Sequence, residues 1–357
     1  MSRPSALLLR ADRVIDEETR HDALRRSGHS VTGRLLAALF VGLFTAPLTA
    51  DAQPAGKLHR IGVLDSLDAA ANADNLGALR QGLAGLGYAE GQSFVFEYRS
   101  ADGRPERFAD LAVELVQLNV DVIVTRGAPA TFAAGRATQS IPIVMASSSH
   151  PVFEGLVPNL SRPGGNITGL YATAPIELGG ERLRLLKEAL PAASRIGVLW
   201  NPGDLRAPLV AKDTERVARD LGVRIEHLDL QRADPLETLF ESALYRRIDA
   251  LITVEDAFTV AYRARILEFA ATSRLPSMHG LREFVEEGGL MSYGTDRRDL
   301  YRRAAGYIHR IFSGASPGDL PVEPAMKFEL VINLKTARTL GLTIPPGLLR
   351  RADHVIP

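Results

Sequence analysis

The chain contains an internal repeat, and this repeat is the feature that most restricts its possible folds. Arg60-Ile61-Gly62-Val63-Leu64 recurs letter for letter at Arg195-Ile196-Gly197-Val198-Leu199. Three further pairs of segments follow in the same order and at nearly constant spacing: 86–88 with 221–223, 120–124 with 248–252, and 141–144 with 275–278. A repeat of such long period indicates one structural unit built twice. Two similar units leave a cleft between them, and small ligands usually bind in such clefts.

Each repeat alternates short apolar runs with amphipathic segments. Residues 60–64 are typical of a buried strand, whereas 75–86 carries leucines at helical spacing and ends at Gly87, a good helix stop. The second repeat shows the same alternation, from the strand at 195–199 to the helix at 207–221. This pattern predicts an α/β fold of two Rossmann-like lobes, each with a doubly wound parallel sheet covered by helices on both faces.

The junction between the repeats is rich in turn residues. Pro163 is followed by Gly164, Gly165 and Asn166, a combination that strongly indicates a loop. One interpretation is an ordinary surface turn. The other is a hinge at Gly164, Gly165 and Asn166, because one repeat ends and the next begins there.

The segments after the second repeat have no counterpart in the first and are predicted to cross back between the lobes, giving three connecting strands. The predicted division is a first lobe of residues 58–165 plus about 294–320, a second lobe of 170–290 plus about 322–345, and a C-terminal tail at 346–357.

The N-terminal region predicts an export signal. Arg34 precedes the apolar run 35–44, and the small-x-small sequence Ala50-Asp51-Ala52 follows. This is the order of a secretory signal, with cleavage predicted after Ala52. A buried helix or a membrane anchor is the alternative interpretation, but the apolar run is short for a bilayer span.

The predicted extension and signal together occupy residues 1–52. The first thirty residues are rich in arginine, also carry acidic side chains, and lie ahead of the signal. We therefore hypothesise that translation starts at Val31.

Composition excludes several classes of partner and site. Lys plus Arg and Asp plus Glu both number 42, so the net charge is zero and builds no field that attracts nucleic acid. The chain has no cysteine, which excludes disulfides, zinc-thiolate sites, iron–sulfur clusters and an acylated N-terminal cysteine. We predict a protein that is free in the periplasm, is not a lipoprotein, does not span the membrane after signal cleavage and has no nucleic-acid partner.

No catalytic motif is present in the sequence. There is no Gly-x-Ser-x-Gly elbow, Walker loop, Gly-x-Gly-x-x-Gly or His-Glu-x-x-His sequence. His150, His227 and His279 have no partners at metal-ligand spacing and are interpreted as lone surface or rim residues. The sequence therefore predicts no enzyme, no catalytic residue, no metal and no cofactor.

Candidate ligand-binding residues follow the predicted strands, because the carboxyl ends of doubly wound sheets carry the ligands. The first lobe offers hydroxyls and a helix N-terminus at 127–131, which suit a carboxylate. The second offers Glu255 or Asp256 for an ammonium, and Trp200 or Phe258 for an apolar side chain. The set predicts a zwitterion such as an amino acid, against the alternative that these are plain strand-to-helix turns. The candidates are Ser66, Thr125, Gly127, Thr131, Ser147, Ser148, Ser149, Asn201, Glu255, Asp256, Phe258 and Tyr293.

Over residues 58–357 the chain resembles the ABC transporter substrate-binding family that includes tryptophan-binding components, a branch of the type 1 periplasmic binding proteins. The stretches that carry the resemblance are 142–144, 162–169, 288–294, 327–337 and 340–345. It implies two Rossmann-like lobes, joined by three crossings, that close on a small ligand and deliver it to a membrane permease.

In type 1 relatives that bind amino acids, the loops at the places of Gly127–Thr131 and Ser147–Ser149 take the ligand carboxylate. The resemblance implies that role here. Where many members carry an acidic residue before Pro151, this chain has His150, a difference that bears on the preferred ligand charge.

The sequence therefore predicts a periplasmic solute-binding component of an ABC importer. Its predicted partners are the transmembrane permease subunits and a small molecule. The predicted ligand is an aromatic or branched amino acid, and other small carboxylates or aromatic acids are the alternatives. The protein is predicted to be a monomer. The alternative function is a periplasmic ligand-sensing module that signals to a membrane receptor instead of feeding transport.

Overall fold

A computed structural model of the protein describes residues 57–204, 206–230 and 236–357. The predicted signal, its cleavage site and the hypothetical start at Val31 lie outside the described residues. Among the residues it covers, the structure contains no helix with the length and apolar character needed to cross a membrane.

The first repeat folds as an alternation of strands and helices that ends in two consecutive strands. Its elements are β1 (His59–Asp65), α1 (Ala73–Gly85), β2 (Phe94–Ser100), a 3-10 turn (Pro105–Arg107), α2 (Phe108–Gln117), β3 (Val122–Arg126), α3 (Ala128–Ala137), β4 (Ile143–Ser148) and β5 (Ile167–Tyr171).

The second repeat begins with a helix and then follows the same alternation. Its elements are α4 (Leu178–Ala189), β6 (Arg195–Trp200), α5 (Ala207–Asp220), β7 (Arg224–Asp229), α6 (Leu236–Tyr245), β8 (Ala250–Thr253), α7 (Ala257–Ala261), α8 (Arg263–Thr272), β9 (Ser277–His279), α9 (Arg282–Glu286) and β10 (Met291–Thr295).

The C-terminal segment supplies elements to both lobes. They are α10 (Arg297–Phe312), a 3-10 turn (Pro317–Asp319), β11 (Glu323–Pro324), β12 (Phe328–Asn333), α11 (Leu334–Leu340), α12 (Pro346–Arg351) and β13 (His354–Ile356).

The strands form two sheets, one for each lobe. Within the described residues the strand order is β11-β5-β4-β3-β1-β2 in the first sheet and β13-β12-β10-β9-β8-β6-β7 in the second. The β10–β12 pair is antiparallel, whereas the two copies of the repeated pentapeptide lie in β1 and β6 between parallel neighbours. The predicted fold class, two doubly wound parallel-dominated lobes, is therefore confirmed.

The glycine of the repeated pentapeptide serves the same packing role in both lobes. A Cβ atom on Gly62 would lie 3.3 Å from Val120, and one on Gly197 would lie 2.7 Å from Ile248. Val120 and Ile248 occupy matching places just before the third repeated strand. Because interiors are close-packed, a side chain at either glycine would require the neighbouring Val120 or Ile248 side chain to shift.

The chain crosses between the sheets at 172–177, at Asp296 and at 325–327. Gly164, Gly165 and Asn166 do not lie at a crossing. Gly164 donates its backbone N–H to Gly318 (3.1 Å), and the Asn166 side chain donates to two carbonyls of the first lobe. Because β5 pairs with β4, the hinge position predicted at these residues is wrong, and the first crossing follows β5 instead of preceding it.

The predicted lobe boundaries change for the same reason. Residues 167–171 and 323–324, assigned near or inside the second lobe, pair within the first sheet. The predicted tail 346–357 is not separate, since β13 pairs with β12. Pairing between distant segments decides these assignments, and local turn signals do not report it.

Candidate functional site

The candidate site lies where the carboxyl ends of the two sheets approach the crossings. Ser148 ends β4 in the first sheet, and its carbonyl accepts from the backbone N–H of Ala172 (2.7 Å), the first residue of the crossing. The carbonyl of Ala172 in turn accepts from Thr295 Oγ1 (3.0 Å) at the end of β10. The end of β4 is thus tied through the crossing to the second sheet.

In the second lobe a buried arginine holds a carboxylate beside this crossing. Arg182 of α4 is 3% exposed and donates from Nε to the carbonyl of Tyr293 (2.7 Å) and from Nη1 to Glu255 Oε2 (3.0 Å). The other carboxylate oxygen, Glu255 Oε1, is buried without a hydrogen-bond partner among the described residues. Glu255 is therefore oriented by Arg182 but keeps one acceptor unused.

The Glu255 carboxylate fits against Gly280, which follows β9. A Cβ atom at Gly280 would lie 1.6 Å from Glu255 Oε1 and 2.3 Å from Arg182 Nη2. Only a residue without a side chain leaves room for this arrangement.

The three serines at the end of β4 differ in their surroundings. Ser147 accepts the Gly127 N–H through its carbonyl (2.6 Å), which places the α3 N-terminus next to β4. Ser148 is 3% exposed, and within the part of the chain that the structure describes its hydroxyl makes no hydrogen bond. Ser149 is exposed. Of these candidates, Ser148 has the buried hydroxyl without a hydrogen-bond partner among the described residues.

The hydroxyls of Thr125 and Thr131, also predicted to face the ligand, form hydrogen bonds within the first lobe. Their Oγ1 atoms lie 2.8 Å apart in a buried hydrogen bond. Thr131 Oγ1 also donates to the carbonyl of Gly127 (2.9 Å). These contacts fasten the start of α3 to the end of β3.

Asn201 and Asp256 are likewise committed to each other. Asn201 Nδ2 donates to Asp256 Oδ2 (2.5 Å), and Asp256 Oδ1 accepts the Thr259 N–H (2.8 Å) at the start of α7. Asp256 is the N-cap of α7 and forms a capping box with Thr259. Of the two carboxylates predicted to accept an ammonium, Asp256 is therefore occupied and Glu255 retains a free oxygen.

The remaining candidates lie at the edges of this region. Ser66 accepts the Gly103 N–H through its carbonyl (2.9 Å). Phe258 packs against the core of the second lobe, and Tyr293 packs against the adjoining core with its ring 6.5 Å from that of Phe328. Trp200 lines a cavity of about 430 Å³ formed by the second lobe alone, with α5 and β7.

The sequence did not predict the network of hydrogen bonds and charges that surrounds Asp65. Asp65 is fully buried at the end of β1 and accepts from Asn72 Nδ2 (2.8 Å) and Tyr301 OH (3.0 Å). Arg126 Nη1 lies 3.5 Å from Asp65 Oδ1. Arg126 lies between Thr125 and Gly127, both of which were predicted to bind the ligand. The signal that could have revealed the network is a cationic residue at the end of a buried strand.

Arg126 also joins the two lobes. Its Nη2 donates to Glu283 Oε1 (2.9 Å) on α9 of the second lobe, and Arg297 at the start of α10 contacts the same carboxylate. Burial raises the pKa of Glu283, but the positive charges of Arg297 and Arg126 lower it by a larger amount, so that the pKa is about 2. A cavity of about 230 Å³ lies beside this ion pair, between the start of α1 and α9.

We expect Glu283→Gln to lower the free energy of unfolding by roughly 2 kcal/mol at pH 7, because Arg126 and Arg297 would lose their shared anion. The folded-state pKa lies below the ordinary 4.5, so this stabilisation is complete above pH 4.5 and is lost as pH falls through about 2. Denaturant unfolding of both proteins across that range checks the prediction. Glu286→Gln, on the exposed side of the same helix, is the control; an equal effect of the two variants would contradict it.

His279 corrects the interpretation of the histidines as surface or rim residues. It is fully buried, with Nδ1 2.9 Å from Thr253 Oγ1 and Nε2 2.9 Å from Ser277 Oγ. Burial, with Arg182 nearby, lowers its pKa to about 3. His279 is therefore a neutral core residue whose ring hydrogen-bonds Thr253 of the neighbouring strand β8 and Ser277 of its own strand, β9.

Comparison with known proteins identifies a matching family and a curated relative. The family model described as ABC transporter substrate binding protein matches residues 60–356. The tyrosine-binding protein of Clostridioides difficile (strain R20291) is 26% identical over 256 residues, which are 72% of this chain and 73% of that protein.

Solved structures agree with the fold. A conserved domain protein from Vibrio cholerae is 29% identical with a TM-score of 0.68, over 84% of this chain and all of that chain. An ABC domain from Streptococcus pneumonia in complex with L-Trp is 26% identical, also with a TM-score of 0.68, over the same shares.

Proposed function

Because the chain belongs to the ABC transporter substrate binding protein family, we propose that it is the periplasmic solute-binding component of an ABC importer. It captures an amino acid or a related carboxylate between its two lobes and delivers it to a membrane permease. Membership in a family of substrate-binding proteins agrees with the prediction that the chain binds a small molecule and is not an enzyme.

One observation supports the inter-lobe site most directly. Ser148 Oγ in the first lobe and Glu255 Oε1 in the second are both buried without a hydrogen-bond partner among the described residues. Unpaired buried polar atoms cost free energy and call for an explanation. A ligand that bonds to both atoms relieves that cost and shifts the protein toward the closed arrangement of the lobes.

The proposed ligand class follows from the site and from the relatives. The start of α3 offers backbone N–H groups beside Ser148, a suitable place for a carboxylate. One relative is named for tyrosine, and another was solved with L-Trp. An aromatic amino acid is therefore the first ligand to test.

Isothermal titration of the purified protein with L-tyrosine, L-tryptophan and L-leucine tests the function, with glucose and ribose as comparison solutes. We expect at least one amino acid to bind with a micromolar or lower Kd and to raise the melting temperature. Binding of the sugars without binding of any amino acid would contradict the proposal. Loss of uptake when the gene is deleted, with the permease intact, tests delivery.

Ser148→Ala tests the placement of the site. Removing a hydroxyl that lacks a partner leaves the free energy of unfolding nearly unchanged, but we expect it to weaken amino-acid binding by roughly tenfold, the value of a hydrogen bond to a charged group. Ser140→Ala, an exposed serine of the same lobe, is the control. Equal affinities for the two variants would show that the site is misplaced.

A further inference from the structure

The turn that follows β4 carries a half-buried glutamate, Glu154, that the sequence analysis did not single out. The turn is tight: the N–H of Glu154 donates to the carbonyl of His150 (3.0 Å), and the N–H of Leu156 donates to that of Pro151 (2.8 Å). Gly155 has a φ of 73°, a left-handed conformation that suits glycine. The turn therefore returns the chain toward the end of β4.

An apolar cluster holds this turn in place. Leu156 and Val157 pack with Met145 of β4 and with Val322, and Ala128, the first residue of α3, packs against the same cluster. The Glu154 turn, the end of β4 and the start of α3 are thus neighbours in one packed region. The backbone of the turn that carries Glu154 is therefore anchored to the core through Leu156 and Val157.

Glu154 has no counter-charge in its surroundings. Its Oε2 atom is buried, and no hydrogen bond reaches it from the described residues. Burial raises the pKa of Glu154, and the nearby hydroxyls of Ser149 and Ser148 lower it by less. His150 and Tyr171 are the titratable side chains beside the turn, with their rings 5.5 Å apart, and no charged side chain acts on the pKa of Glu154.

Glu255 is in a different position. Arg182 already neutralises it through a 3.0 Å ion pair, whereas Glu154 stands unpaired. A carboxylate oxygen that is buried without a hydrogen-bond partner, as Glu154 Oε2 is, is costly unless a cation is supplied. The missing positive charge is then expected from the ligand, and it is expected at Glu154.

Resting on the proposed function, we propose that Glu154 and Ser148 in the first lobe bind the protonated nitrogen of an amino-acid ligand. This reverses the assignment of the ammonium to the second lobe. The ammonium and the carboxylate of an α-amino acid share one carbon, so their subsites must be adjacent. The Glu154 turn and the N-terminus of α3 meet this requirement because Leu156, two residues after Glu154, and Ala128, the first residue of α3, pack in the same cluster. The Ser148 side chain lies beside Glu154.

The test compares each amino acid with its amine-free analogue. Isothermal titration measures Kd for L-tyrosine against 3-(4-hydroxyphenyl)propanoate and for L-tryptophan against 3-indolepropanoate. The wild-type protein should prefer the amino acid of at least one pair. In Glu154→Gln this preference should fall by roughly tenfold or more. The melting temperature without ligand should stay equal or rise, because the variant no longer has a negative charge without a counter-charge.

Two further variants make the outcome decisive. Glu255→Gln should weaken both members of a pair alike and keep their ratio, and Glu106→Gln, exposed in the same lobe, should change neither. A ratio that survives Glu154→Gln but collapses in Glu255→Gln would overturn this inference and leave the proposed function standing. A wild-type protein that binds no amino acid in the broader titration would overturn both.

Discussion

Asp65→Ala is expected to lower the free energy of unfolding by about 3–5 kcal/mol, the typical result of removing one partner from a buried charge pair. The side chain of Asp65 is fully buried and accepts hydrogen bonds from Asn72, Tyr301 and the backbone of Leu67. Without it, two side-chain donors lose their acceptor in the interior, and Arg126 loses the anion of its own lobe. Denaturant unfolding followed by circular dichroism measures the change.

Asp110→Ala is the matched control for Asp65→Ala. Asp110 is exposed in the first turn of α2, where an acidic residue stabilises the helix by about 1 kcal/mol at most. If both variants lose the same small amount of stability, the Asp65 network does not hold the end of β1 as described.

Gly280→Ala is expected to weaken amino-acid binding by roughly tenfold or more and to cost about 1–3 kcal/mol of unfolding free energy, as overpacking in an interior does. The added Cβ would overlap Glu255 Oε1 and Arg182 Nη2. Both side chains are committed to each other, so neither moves without breaking their 3.0 Å ion pair. Titration with the amino acid that binds wild type best, together with denaturant unfolding, separates the two effects.

Gly77→Ala controls for the loss of a glycine as such. Gly77 lies in α1, and an added Cβ there would meet nothing within 4 Å, so alanine should leave binding unchanged and stabilise the helix by about 0.5–1 kcal/mol. Full affinity in Gly280→Ala would mean that Glu255 does not contribute to the ligand site in its present position.

The sequence was sufficient to predict the two lobes because the same local pattern of strands and helices occurs twice along the chain. The same reasoning predicts a site at the strand ends, since parallel strands bring their carboxyl ends to one edge. Ser148 and Glu255 were among the residues it named, and both present a free buried atom.

Residue type alone did not distinguish available groups from occupied ones. Thr125, Thr131, Asn201 and Asp256 carry the right chemistry, but neighbouring groups in the same lobe take up their hydrogen bonds. The sequence analysis did not name Glu154, because a single sequence does not show that a glutamate in a turn has one carboxylate oxygen buried with no cation beside it.

The amino-acid sequence by itself determined the duplicated α/β architecture and the order of its strands and helices along the chain, and it predicted the edge of each sheet at which we propose that a ligand binds. Only the tertiary structure decided that the chain first crosses after β5 and not at Gly164–Asn166, and which polar atoms at the strand ends remain free. The physical reason is the same in both cases. Strand pairing, burial and charge neutralisation join residues far apart in the chain, such as Arg126 with Glu283 and Arg182 with Glu255, and local patterns carry no record of those partners.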